Sequence, residues 1–364
     1  MPSLLFIKNW SLLLMDSIVN KLDFCDVLIL PRATRISSRK EVNLNVGVNF
    51  PKSLKTLFCT PIAAANMDGV GTPAMANALG SEKMLTFLTK NNTLKIMENG
   101  FPEECHDCRS FCVGTFGMDE ASIVALKNYK IDNYFNLICL DVANGYMADF
   151  VDLVAFVRDK YPSITIFAGN VVTPEGVVNL SEAGADVVKI GIGSGSVCTT
   201  RRVAGVGYPQ LSAILDCKEA ALDSGCLLMS DGGCVHPGDV GKAFAAGANF
   251  VMLGGMLAGY EEGLEGGTLF DDGEKKKFIF SGSSSSKALN KSNRNENYRT
   301  SEGRVVLMDL KGPVKNAITH ILGGLRSTCS YTNCGSLDEL IGYGSFIKVN
   351  RQLNEYFEHH TVGI

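Results

Sequence analysis

Val187-Val-Lys-Ile-Gly-Ile-Gly-Ser-Gly-Ser-Val-Cys-Thr-Thr-Arg-Arg-Val-Ala-Gly-Val-Gly-Tyr-Pro-Gln210 is the stretch on which the reading of this chain turns. It begins inside an apolar run, Ala185 to Ile190, that reads as a buried strand, and it breaks into a loop at Gly191, Gly193 and Gly195. Alternate glycines let a backbone turn tightly and aim several amides or carbonyls at one small ligand. Cys198 follows past the C-terminal end of the strand, with the hydroxyls of Thr199 and Thr200 and the guanidinium of Arg201 behind it. Nearby positive charge and peptide dipoles favour a thiolate, so a thiol placed there is a candidate nucleophile. A Gly-x-Gly-x-Gly run alone is often only a turn, and a lone cysteine is more often an inert small hydrophobe.

The same pattern recurs on both sides. Short apolar runs ending in Gly, Asp or Asn predict strands at Pro61–Asn66, Met84–Leu88, Phe111–Gly114, Asn136–Asp141, Thr165–Gly169, Asp186–Ile190, Leu227–Asp231 and Phe250–Gly254. Strands apolar on both faces, separated by crossover segments, pair in parallel. Eight such units, roughly 20–40 residues apart, predict an α/β fold of the (β/α)8 TIM-barrel type in a single domain. A doubly wound sheet is the alternative, but no Gly-x-Gly-x-x-Gly follows the first strand. Ala183-Gly-Ala-Asp186 and Ala246-Gly-Ala-Asn249 repeat one helix-to-strand turn, and Thr173-Pro-Glu-Gly176 offers an N-cap, a first-turn proline and an early carboxylate. Ser230-Asp-Gly-Gly233 closes the seventh strand and Gly254-Gly255 the eighth, the two loops where barrels often hold phosphate on backbone amides.

At 364 residues and 46% hydrophobic, the chain can bury one large core. A formal net charge of −4 leaves no footprint for a polyanion, so no nucleic acid partner is expected and any nucleotide is held by local amides and a few cations. Twelve cysteines scattered through apparent strands and loops fit a reducing compartment, the cytosol. Cys105-His-Asp-Cys108 with Cys112 is half of a zinc motif, and no second Cys-x-x-Cys answers it. Leu4-Leu-Phe-Ile7 and Leu12-Leu-Leu-Met15 are interrupted by Lys8, Asn9 and Asp16, and no segment approaches a membrane span. Residues 1–20 read as a leader, with Met15 an alternative start, ahead of a barrel domain over 21–350 and a tail over 351–364. Within the barrel domain, 259–300 is a polar insertion rich in Gly, Glu, Lys and Ser, which reads as a mobile flap at the C-terminal face, with disorder as the alternative.

Gly191-Ile-Gly-Ser-Gly-Ser-Val-Cys-Thr-Thr-Arg201, running into Gly205-Val-Gly-Tyr-Pro-Gln-Leu-Ser212, closely resembles the catalytic loop of the IMP dehydrogenase/GMP reductase family. Its wording is that of the GMP reductase branch, and the resemblance runs from about Lys21 to about Val349. It implies attack of Cys198 on purine C2 and NADPH-dependent conversion of GMP to IMP with release of ammonia. Glu302, in Asn297-Tyr-Arg-Thr-Ser-Glu-Gly303, matches a glutamate that works through the threonine matching Thr200. The chemistry needs such a pair, because an amide anion is too poor a leaving group and the nitrogen must depart protonated.

The resemblance also implies the binding sets. Asp231 matches the residue holding the ribose hydroxyls, and Gly232, Gly233, Gly254, Gly255, Ser283, Ser284, Arg299 and Gly303 match other nucleotide contacts. Ser38, Arg39, Lys90, Asp141, Val142 and Ala143 match positions around the cofactor, where a serine–arginine pair suits a 2′-phosphate. Ser327, Thr328, Cys329 and Ser330 match a segment that reaches the cofactor of a neighbouring subunit, implying a homotetramer. A potassium ion is implied at Gly193, Gly195 and Cys198, with Thr200 and Arg201 in the same set, ordering the loop without a direct chemical role. Two departures stand out: Ser194 replaces the usual loop proline, and Ser281-Gly-Ser-Ser284 replaces a Gly-Met-Ser-Ser that covers the purine. IMP dehydrogenase, which uses NAD and water, is the nearest alternative. Its usual regulatory insertion does not fit between Lys90 and Cys105, and its Arg-Tyr dipeptide is missing from 259–298. A purine-nucleotide sensor is a third reading, though a sensor has no need of a nucleophile.

Overall fold

All eight predicted strands form, and they pair in parallel and in chain order until the last meets the first. They are β1 Ile62–Ala64, β2 Leu85–Phe87, β3 Cys112–Phe116, β4 Leu137–Asp141, β5 Thr165–Val171, β6 Val187–Ile190, β7 Leu227–Asp231 and β8 Phe250–Leu253. Closure is made where Val251, Met252 and Leu253 face Ile62, Ala63 and Ala64. The helices following each strand are α1 Pro73–Gly80, α2 Lys90–Asn99, α3 Glu120–Asn128, α4 Ala148–Lys160, α5 Pro174–Glu182, α6 Gln210–Ser224, α7 Pro237–Ala246 and α8 Lys315–Thr332. The architecture is a (β/α)8 TIM barrel. The computed structural model describes residues 19–105, 108–265, 268–271, 276–282, 302–350 and 352. Most of the expected leader and tail, and the expected nucleotide contacts Ser283, Ser284 and Arg299, lie outside them. Among the described residues, no helix is long and apolar enough to cross a membrane.

The strands earn their burial on both faces. Residues of β2 and β3 are buried throughout, as expected of parallel strands walled by helices on one side and the barrel interior on the other. Inside, Phe87 of β2, Phe167 of β5 and Phe250 of β8 meet edge to face, with centroids 5.0 Å and 5.4 Å apart. Phe50, at the end of the hairpin strand Val46–Asn49, stacks on Phe250 at 6.1 Å and plugs the interior from below. Helix starts are capped, at Thr173 as the sequence suggests. Thr72, Thr89, Asp119 and Thr173 each accept a hydrogen bond from the amide three residues on.

The repeated helix-to-strand turn does more than reverse the chain. Asp186 and Asn249, which end the two copies, each accept from the backbone of the preceding strand: Asp186 from Ile166 N at 2.9 Å, Asn249 from Leu228 N at 2.9 Å. Asp186, fully buried, also takes the amides of Lys52 and Ser53 and the guanidinium of Arg158 at 2.6 Å. It thereby fastens the plugging hairpin to the N-terminal rim.

Part of the polar insertion is ordered by apolar residues its composition hides. The strands Thr268–Asp271, Lys276–Ser281 and Val305–Asp309 form an antiparallel sheet. Phe278 and Phe280 are buried in the main core, and the Phe278 ring rests on Gly69, where even a Cβ would collide with it. Disorder is therefore not the state of these described strands.

Removing Asp186 leaves three amides and a guanidinium without their acceptor. Asp186→Ala is expected to cost about 3–5 kcal/mol, read from guanidinium unfolding, with Asp186→Asn falling between the variant and the parent.

Candidate active site

The C-terminal ends of the strands open on a cleft of about 930 Å³. One wall of it is the loop after β6. Gly191 passes so close to β7 that a Cβ would lie 2.0 Å from the Asp231 carbonyl oxygen, and Gly193 takes a left-handed φ of +78° against Arg201. Ser194, standing where the family pattern has proline, replaces ring rigidity with hydrogen bonds. Its Oγ donates to Asp231 O at 3.0 Å, and its carbonyl accepts from Gly233 N at 3.0 Å.

A second segment, a hundred residues later in the chain, is stitched to this loop. Thr199 N donates to Glu302 O at 2.8 Å, Arg304 N to Val197 O at 2.8 Å, and Cys198 pairs with Gly303 across an antiparallel bridge. That pairing delivers the carboxylate. Cys198 Sγ donates to Thr200 Oγ1 at 3.2 Å, and Thr200 Oγ1 donates to Glu302 Oε2 at 2.7 Å. The result is a continuous path from thiol through hydroxyl to carboxylate, lying in the wall of the cleft. Such a path can accept a thiol proton and return it to a leaving group.

Opposite the thiol lie two carboxylates joined by a lysine. Lys189 Nζ reaches Asp141 Oδ1 at 2.5 Å and Asp231 Oδ2 at 3.2 Å, and Asn170 Nδ2 donates to Asp231 Oδ2 at 2.9 Å. Burial pushes the Asp141 carboxyl up, but the ammoniums of Lys189 and Lys90 outweigh it and hold the carboxyl below its ordinary range. Burial likewise opposes the charge on Lys189, yet Asp141 and Asp231 hold that ammonium well above its ordinary value. Asn170 Oδ1 is buried in the cleft wall with no partner among the described residues.

The structure gathers Cys198, Thr200, Glu302, Gly193, Gly195, Asp231, Gly232, Lys90, Asp141, Val142 and Ala143 around this one cleft. Gly233, Gly254 and Gly255 sit just behind it; Gly255 lies against Ser196, so the β7 and β8 ends converge on the Ser194–Ser196 backbone. Gly282 lines the cleft, and so do four methionines from other elements, Met67, Met118, Met147 and Met252, although the expected methionine beside Gly282 is missing from the sequence. Arg201 turns aside to Asp23 at 2.8 Å and to the Tyr208 carbonyl at 2.7 Å. Ser38 and Arg39 lie outside the cleft, at a turn packed against α8. Ser327, Thr328, Cys329 and Ser330 are on α8 itself, with Cys329 buried and its thiol pushed up to about 12. Lys189 and Asn170 were missed from the sequence; a lysine among Val187, Val188 and Ile190 was the available signal. Among the described residues, no cluster of His, Cys, Asp or Glu is arranged to hold a metal ion.

Fold and site together define a barrel with a cysteine tied through a hydroxyl to a carboxylate at its C-terminal mouth. The chain belongs to the IMP dehydrogenase/GMP reductase family: the profile described as an IMP dehydrogenase / GMP reductase domain matches residues 21–359. It is 45% identical over 339 residues to a protein named GMP reductase from Enterobacter sp. (strain 638), covering 93% of this chain and 97% of that one. Proteins of the same name from Escherichia coli O81 (strain ED1a), 44% identical over 93% and 98% of the two chains, and Salmonella paratyphi B, 45% over 93% and 97%, are similar to the same extent.

The cysteines of the chain differ in access: Cys25 is exposed, Cys198 and Cys234 are half-buried and the others are buried. Burial pushes the Cys234 thiol up, and burial with Asp26 and Asp23 does the same for Cys25. Brief alkylation with iodoacetamide is expected to label Cys198 first, Cys25 more slowly and Cys234 not at all, as mapped by peptide mass spectrometry.

Proposed function

We propose that this protein converts GMP to IMP and ammonia at the expense of NADPH, a step of purine nucleotide salvage. The observation that carries the reading is the unbroken path from Cys198 through Thr200 to Glu302 at the barrel mouth. Cys198 gives its proton along that path and its sulfur bonds to C2 of the purine. The C2–N bond then breaks, and Glu302 returns protons through Thr200 so that nitrogen leaves as ammonia rather than as its anion. What remains is a thioimidate on Cys198. When bound, NADPH supplies a hydride to C2; the C–S bond breaks, the thiolate is regenerated and IMP departs. The sum is GMP, NADPH and two protons in, and IMP, NADP⁺ and ammonium out.

The residues present suit these ligands. Asp231 offers an acceptor to ribose hydroxyls, and the amides of Gly232, Gly254 and Gly255 lie where phosphate is expected, with Gly233 beside them donating its own amide to Ser194 O. On the other side, Lys90 suits a phosphate, Met118, Val142 and Met147 a flat ring, and the unpartnered Asn170 Oδ1 the carboxamide N–H of a nicotinamide. We place potassium at the carbonyls of Gly193, Gly195 and Cys198, with Thr200 and Arg201 beside them. Gly195 O already accepts from Cys198 N at 3.0 Å and keeps a lone pair for a cation. Ser327–Ser330 lie on α8 outside their own cleft, which suits a homotetramer in which they serve a neighbour's cofactor, and Ser38 and Arg39, on a turn packed against α8, suit a 2′-phosphate. Free thiols throughout support the cytosol as the place of action.

The IMP dehydrogenase reading loses ground on the same page. Between β2 and β3 the described chain holds α2 and two short turns, with no separate domain. The purified protein is expected to consume NADPH when given GMP and to form no NADH from IMP and NAD. Cys198→Ala is expected to abolish turnover while calorimetry still detects GMP binding; full activity in that variant ends the proposal. Thr200→Val and Glu302→Gln are expected to lower kcat by ~10²–10⁴-fold, measured as NADPH oxidation at saturating GMP.

A further inference from the structure

Lys189 stands on β6 among Val187, Val188 and Ile190, all fully buried, and is itself only 1% exposed. An ammonium so placed survives only if it is compensated. Two carboxylates meet it from different sides: Asp141 on β4 at 2.5 Å and Asp231 on β7 at 3.2 Å. Asn170 on β5 ties to Asp231 at 2.9 Å, so one line of polar contacts runs across four strands along the floor of the cleft. The neighbouring strand makes room for the lysine. At Gly169 of β5 a Cβ would lie 2.7 Å from both Lys189 Cβ and Lys189 O, so no larger residue fits beside it.

We propose that Lys189 is a positioning residue that couples the two halves of the active site, holding the substrate-side carboxylate of Asp231 and the cofactor-side carboxylate of Asp141 on a single buried charge. The proposal rests on the reading above for which ligand occupies which half. The remaining titratable groups facing this ammonium cannot take its place. Cys139 on β4 is a buried thiol pushed up to about 12, and Lys90 at the start of α2 is partly exposed and already paired with Asp119 at 3.6 Å. Without Lys189, Asp141 and Asp231 line one cleft with no buried ammonium between them, and their mutual repulsion raises the carboxyl that titrates last. A lysine that served only one ligand, or only stability, would have no such effect on both.

The test uses the full-length protein and titrates GMP alone and NADPH alone by calorimetry across the pH range. Lys189→Met is expected to weaken both ligands by about tenfold or more, and to give GMP binding a one-proton dependence between about pH 5 and 8 that the parent lacks. Adding Asp141→Asn to that variant is expected to remove the new ionisation and restore GMP binding to near the parent value, while NADPH binding stays weak. Loss of affinity for one ligand only, an unchanged pH profile, or no recovery of GMP binding in the double variant overturns the proposal. Should Lys189→Met fail to fold, Asp141→Asn alone decides. It retains the lysine, now drawn wholly onto Asp231, so GMP affinity is expected to fall although residue 141 faces the cofactor; unchanged GMP affinity overturns the coupling. Parent protein that neither binds GMP nor oxidises NADPH with it would instead refute the functional reading, whatever the variants do.

Discussion

Parallel closure is the constraint from which everything else in this molecule follows. Because β1 to β8 run the same way and β8 pairs back onto β1, all eight C-terminal ends must share one rim. Side chains hundreds of residues apart are thereby brought to one opening without any of them needing to be adjacent in sequence. The interior cannot serve as a pore, since Phe50, Phe87, Phe167 and Phe250 fill it from the opposite end. The open cleft is therefore at the rim, where the ends of β4 and β7 carry Asp141 and Asp231 and the loop after β6 carries Cys198.

Much of this was legible in the order of residues, for a plain reason. Each strand is a short run buried on both faces, so its apolar content is nearly unbroken and its end is marked by the first Gly, Asp or Asn. Cys198 follows such an end and was picked out from position, whereas Thr200 and Asp231 were picked out by the family resemblance. What could not be read was partnership. That Asp186 and Asn249 close a repeated turn is visible in the sequence, but that they bond the preceding strand is not. Lys189 sits inside a strand, and only the barrel shows Asp141 and Asp231 beside it. Residues 268–281 were misleading for the opposite reason: flanking Glu, Lys and Ser outvote Phe278 and Phe280, the two residues that hold the sheet to the core.

Cysteine shows how little residue type says without place. Burial raises the thiols of Cys59, Cys139, Cys217 and Cys329 to about 12, which keeps them neutral packing groups among hydrocarbon neighbours. Cys198 differs by standing in a loop, half-buried, with a hydroxyl and a carboxylate arranged behind it. Composition alone counts all of them alike.

The stitching of 197–199 to 302–304 has a counterpart on the other side, where Gly282 N donates to Arg304 O at 3.1 Å. The chain therefore leaves the barrel mouth at residue 282 and re-enters it at 302 through two points fastened to each other. Whatever runs between such clamped ends is a closed excursion, and lengthening one costs only about 0.6 kcal/mol per doubling. The excursion can thus be trimmed or extended at little cost while Glu302 stays seated on Thr200.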